Sequence, residues 1–206
     1  MVETICNNLT LKIKKKIPDV DDERAQVINY GLQLAIGEIP KTFIILFMAW
    51  TAGVFNLTLL SILIIMPYRA VVGGVHLKTH IGCVLATATF YIGNALLSKY
   101  IILDKTIQYM ITAIVWIFAV SMISLYAPAD TEDVPILRKK ERKMKKILSY
   151  AIMTIMLGIS LGIKNTIISN LILFGTMLQT ITITRPMYKI AGNKYGYEEY
   201  IKNSHK

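Results

Sequence analysis

A chain of 206 residues in which 54% of side chains are hydrophobic and 17% charged, with a mean hydropathy of +0.50, has the composition of a membrane protein and not of a soluble domain. The formal charge of +10 would suggest a nucleic-acid partner in a soluble protein. Here the basic residues cluster outside the apolar stretches, where they act as topology signals, and no nucleic acid is expected. Two cysteines, Cys6 and Cys83, argue against a disulfide scaffold.

In chain order, residues 1–16 lack the basic start, apolar run and small-residue cleavage site of a signal peptide. Residues 1–17 read instead as a basic amphipathic helix suited to anionic lipid. Residues 25–37 are apolar but too short to cross a bilayer alone, and Glu38-Ile39-Pro40-Lys41 separates them from the next apolar stretch. Uncharged apolar stretches then cover 42–68, 79–98, 106–129, 147–163 and 165–184, against the roughly 20 residues a spanning helix needs.

Charge asymmetry sets the topology. Lys12, Lys14, Lys15 and Lys16 mark one cytoplasmic end, and the run from Arg138 to Lys146 marks another, so an even number of crossings must separate them. Three stretches lie between. Either 25–37 crosses as well, or 42–68 splits near Gly53 and Asn56, its first half extending backward through Pro40. Both solutions place 69–78 in the cytoplasm. The last two spans return Arg185, Lys189 and Lys194 to the same side. The expected fold is an all-α, polytopic transmembrane bundle of about six spans with both termini cytoplasmic. It forms a single domain over 1–206, with a basic cytoplasmic loop at 128–146.

Residues 69–83 concentrate charge, glycine, imidazole and thiol between two spans, including Arg69, Gly73, Gly74, His76, His80 and Cys83. Ionisable groups near lipid are costly and mark candidate functional sites, although an interfacial His or Lys also snorkels to headgroups. A nucleophilic cysteine needs a base within about 3 Å or a neighbouring positive charge. In one continuous helix His76 and Cys83 would share a face about 10 Å apart, and His80 would be the nearer base. A helical start before His76 is disfavoured by Gly73-Gly74, and a turn there would let His76 fold back over the first turn carrying Cys83. Spacing alone leaves the base open. The stripe His76, His80, Cys83 has zinc-compatible ligand types, but it lacks a second cluster and the His-Glu-x-x-His pattern, so no metal and no cofactor are expected.

Arg69, Gly73-Gly74-x-His76 and Cys83, followed two spans later by Ala127-Pro128-Ala129-Asp130 and a basic run, resemble the AgrB (accessory gene regulator B) family over essentially the whole chain. These are membrane-embedded cysteine endopeptidases of Gram-positive bacteria that process a quorum-sensing propeptide. The resemblance implies Cys83 as nucleophile and His76, not His80, as base, in a multi-pass protein of the cell membrane with its site facing the cytoplasm. It implies an AgrD-like propeptide as partner beside the lipid bilayer, and a homodimer is compatible with it. Arg69 would bind a substrate carboxylate or anchor a span end, and Gly73 and Gly74 would donate to an oxyanion or turn the chain. The run that includes Lys139 and Lys140 would attract an acidic propeptide tail or only fix topology. Asp130, Glu132 and Asp133 are candidate orienters of His76. The rival readings are a small permease using Gln108, Asn165 or Asn170 as a pathway, and a non-catalytic sensor switched by His76 and His80.

Overall fold

The computed structural model describes residues 2–17, 21–77, 79–132 and 135–204, and their regular secondary structure is helical, with two isolated bridges besides. The chain divides into two compact units, residues 1–48 and 49–206. In the first, α1 (Val2–Lys16) and α2 (Asp22–Gln33) lie together. Asn29 ties them, donating to Asn7 Oδ1 at 2.8 Å and bonding Thr10 Oγ1 at 3.3 Å. A π-helical turn, Leu34–Glu38, connects α2 directly to α3 (Ile39–Thr51). The widened turn ends two residues before Pro40, whose ring would collide with the carbonyl four residues back in a regular α-helix.

The 42–68 stretch does split: α3 ends at Thr51, Gly53 adopts φ 66°, and α4 (Phe55–Val72) begins two residues on. Thereafter α5 (His80–Tyr100), α6 (Lys105–Tyr126), α7 (Lys139–Gly162) and α8 (Thr166–Ile181) run up and down the second unit, and α9 (Arg185–Ala191) and α10 (Gly196–Ser204) close it. Among the described residues, α4 to α7 are long and apolar enough to cross a membrane. The α8 and α9 pair, bent by 72°, adds a fifth crossing if taken as one span. The 13-residue α3 does not reach that length alone.

The basic run is not loop. Lys139 opens α7, because Lys, Arg, Glu and Met are good helix formers and Glu141 pairs with Lys145 one turn on at 3.2 Å. The loop after α6 therefore stops at Arg138, short of the 146 suggested by charge alone.

The core sits around α8, which packs against α4, α5, α6 and α7 and is buried on all sides from Ser169 to Thr176. Its neighbours expose apolar faces instead, with Leu63, Leu85, Ile117 and Ile155 directed outward, as lipid-facing residues would be. Polar groups inside the bundle bond between helices. Asn94 on α5 donates to Ser61 Oγ at 2.8 Å and to the Leu171 carbonyl at 3.0 Å, and Tyr68 pairs with Thr180 at 2.9 Å. Each such bond contributes about 0.6 kcal/mol in a membrane interior.

Candidate active site

Helix α4 stops at Gly73, which has φ 81°, and Gly74 follows at φ 141°. These values suit glycine, and space demands it too. A Cβ on Gly73 would lie 2.2 Å from the Ala129 carbonyl oxygen, and one on Gly74 would lie 2.6 Å from Thr182 Oγ1. The chain then runs without helix through Val75, His76 and Leu77 until Thr79 caps α5, its hydroxyl accepting from the Gly82 amide at 3.2 Å.

His76 therefore lies outside α5, and Cys83 lies in its first turn, with its amide donating to the Thr79 carbonyl at 2.9 Å. The three-ligand stripe on one helix, and the roughly 10 Å helical separation of His76 from Cys83, both required His76 to be helical, whereas His80 opens α5 three residues before Cys83. The His80 side chain and all of Lys78 lie outside the described residues. His76 is exposed, Cys83 is partly buried, and neither Cys83 nor Cys6 is in a disulfide.

Remote residues hold the 73–76 segment by its backbone. Gly74 N–H donates to the Ala129 carbonyl at 3.0 Å, and Ala129 N–H donates to that of Val72 at 2.9 Å. Gln179 Nε2, fully buried on α8, donates to the Gly73 carbonyl at 2.8 Å. Val75 N–H donates to the Thr182 carbonyl at 3.3 Å, and Arg69 donates to the Val75 carbonyl and to Gln179 Oε1, both at 3.2 Å. Finally the His76 amide donates to Asn193 Oδ1 at 2.9 Å. Asn193 is set by the end of α9, where Gly192 turns left-handed at φ 68° and the Asn193 amide donates to the Tyr188 carbonyl at 2.9 Å.

These bonds bear on several readings. The Gly73 amide donates to the Arg69 carbonyl and the Gly74 amide to that of Ala129, so both amides are engaged within the turn. Arg69 braces the segment it precedes. Among the described residues no bond joins Asp130 to His76: its Oδ2 accepts from Arg142 at 2.9 Å and from the Ile136 amide at 2.8 Å, which organises the α6–α7 loop. Asp133 lies outside the described residues. Lys139 and Lys140 stand exposed in the first turn of α7, and among the described residues no bond joins them to 69–83. The polar residues of the permease reading are used internally. Gln108 bonds Ser169, Asn165 caps α8, and Asn170 donates to the Ile101 carbonyl at 2.7 Å.

Gln179, Thr182 and Asn193 were missed from sequence. The one available signal was Gln179, an amide in an apolar stretch that must find partners when buried.

Next to the site, the C-terminal segment stacks three rings. Tyr195 lies 4.1 Å from Tyr188 and 5.8 Å from Tyr126, and its hydroxyl donates to the Ile183 carbonyl at 2.7 Å. Burial, with Tyr126 adding to it, pushes that hydroxyl above the ordinary tyrosine value, so it keeps its proton and remains a donor.

The sequence matches the family described as accessory gene regulator B over residues 6–183. A protein of Listeria innocua described as AgrB-like is 28% identical over 182 residues, covering 87% of each chain. One of Clostridium acetobutylicum is 25% identical over 99% of this chain and 97% of its own. The accessory gene regulator protein B of Staphylococcus epidermidis is 30% identical over 76% of this chain and 77% of its own. No solved structure matches. With the braced turn before His76, Cys83 in the first turn of the next helix and a family match over most of its length, the chain belongs to the accessory gene regulator B family.

Proposed function

We propose that this protein is a membrane-embedded cysteine endopeptidase that cleaves the C-terminal tail from an AgrD-like quorum-sensing propeptide. Cys83 is the nucleophile and His76 its base. The thiol of Cys83 gives its proton to His76 and attacks a peptide carbonyl; the C–N bond breaks, His76 returns the proton to the departing amine, and a thioester remains on Cys83. A cysteine or serine within the propeptide then attacks the thioester, releasing a thiolactone or lactone and restoring the Cys83 thiol. With a cysteine acceptor, one thioester replaces another and no ATP is required. A partly dry site suppresses the competing hydrolysis.

The observation that carries this reading is the helix break. Because α4 ends at Val72 and α5 starts only at His80, His76 is released from the roughly 10 Å helical separation that would have kept it from Cys83.

The distribution of charge supports a six-crossing topology with cytoplasmic termini and a cytoplasmic site, and the family match supports a Gram-positive cell membrane as its location. The bundle end formed by the close of α4, the start of α5 and the start of α7 carries Arg69, the run from Arg138 to Lys146, and Arg185. The opposite end carries Lys99, Lys105 and Lys164. In this reading Lys139 and Lys140 draw in the acidic tail that substrates of this family typically carry, and Arg69 with Gly73 and Gly74 supports the base.

The test is mass spectrometry of a co-expressed candidate propeptide with wild type, Cys83→Ala, His76→Ala and His80→Ala. Processing is expected to disappear with the first two variants and to persist with the third. Wild-type cleavage by all three would place the chemistry elsewhere.

A further inference from the structure

A cavity of about 350 Å³ opens where α6 ends and α7 begins, with Tyr126, Arg142, Lys143, Lys146, Tyr197 and the exposed Leu125 among its walls. That volume is within the roughly 300–1,000 Å³ of small-molecule sites. Its charge is not balanced internally. Arg142 is committed to Asp130 at 2.9 Å and lies 4.2 Å from the Tyr197 ring centre, and the one carboxylate in the wall, Glu198, pairs with Arg185 at 3.0 Å. Lys143 and Lys146 are three residues apart and share one side of α7. Lys146 donates to the Ser124 carbonyl at 2.6 Å, and among the described residues no carboxylate forms an ion pair with either lysine.

The surroundings identify what would answer those two charges. The cavity stands at the last residues of one membrane-length apolar helix and at the point where the next turns apolar, after Lys146. Leu125, Met144 and Ile147 are exposed at that level, so apolar surface is continuous with the basic wall. A soluble anion would leave this surface in water. A molecule with a phosphodiester on an acyl tail satisfies both, and basic pockets between spanning helices are suited to such headgroups. We propose that this cavity is a binding site for one anionic phospholipid, its phosphate between Lys143 and Lys146 and its chains along the outer faces of α6 and α7. The site is separate from the His76 and Cys83 chemistry and does not depend on that assignment.

The experiment is native mass spectrometry of the full chain in a mild detergent. It is titrated in parallel with phosphatidylglycerol, phosphatidylcholine and soluble glycerol phosphate, and with a short acidic peptide as competitor. One phosphatidylglycerol should be retained at a concentration roughly tenfold below that needed for phosphatidylcholine. The preference should vanish in Lys143→Gln/Lys146→Gln, survive in Lys143→Arg/Lys146→Arg, and survive in Lys139→Gln/Lys140→Gln, which removes the same charge from the same run outside the cavity. Should the double Gln variant melt early, Lys143→Gln alone carries the test, because that side chain is exposed.

Equal retention of the two lipids overturns the proposal, as does equal loss in the Lys139/Lys140 variant, which would mean a diffuse charge effect. Displacement of the lipid by glycerol phosphate at equal concentration would mean a site for a free anion. Capture of the acidic peptide without retention of phosphatidylglycerol would mean a peptide site.

Discussion

The two arms of the candidate site are held in different ways. The backbone around Cys83 is shaped by its own helix: Thr79 caps α5, the Cys83 amide bonds back to Thr79, and Thr87 donates to the Cys83 carbonyl at 2.7 Å. The backbone around His76 is not in a helix, and its partners Ala129, Gln179, Thr182 and Asn193 come from three later parts of the chain. A residue in a helical turn inherits its geometry from local hydrogen bonds. One in an extended segment must have each N–H and C=O met from elsewhere if it is to keep a fixed position. The backbone of the proposed nucleophile is therefore a local construction and that of the proposed base a tertiary one, so damage at a distance should fall on the His76 segment.

This contrast can be broken at several strengths. The largest effect is expected from Gly73→Ala, where the new methyl meets the Ala129 carbonyl at 2.2 Å in a backbone region that disfavours side chains. A loss of about 3 kcal/mol should appear as early melting in detergent with processing abolished. Gln179→Ala leaves the Gly73 carbonyl and Arg69 without a buried partner. It should cost about 2 kcal/mol, with the change in hydrogen exchange centred on 73–76. Asn193→Ala removes a single acceptor from the His76 amide. At about 1 kcal/mol it should slow processing several-fold with little change in melting, and Asn193→Asp, which keeps an acceptor oxygen, should recover most of the rate. The smallest effect is expected from Thr79→Ala, roughly 0.5–1 kcal/mol from the lost cap, seen as faster exchange at Gly82 while 73–76 stays protected. If Thr79→Ala loosens 73–76 as much as Gln179→Ala does, the two arms are not held independently.

Much of the fold was legible because membrane helices announce themselves in apolar length, and because Gly53 and Gly73-Gly74 are poor helix residues where the chain breaks. The turn before His76 follows from the same local chemistry. The loop boundary at 146 was misplaced because a block of Lys and Arg reads as solvent-exposed loop, whereas those residues extend α7 by two turns before its apolar part. The bracing of His76 was illegible for a physical reason. A hydrogen bond between Gln179 and the Gly73 carbonyl, or between Asn193 and the His76 amide, joins groups 106 and 117 residues apart and leaves no periodicity or spacing in either segment.

The Asn193 contact also bears on when the site can exist. His76 leaves the ribosome 117 residues ahead of the side chain that holds its amide, and Asn193 lies beyond the stretch, ending at 183, that matches the family. During synthesis Cys83 can take its place as soon as α5 forms, while the His76 segment waits for the turn after α9. A chain still being made would then hold the Cys83 thiol before the His76 segment is fixed, and the turn after α9 completes the bracing of 73–76.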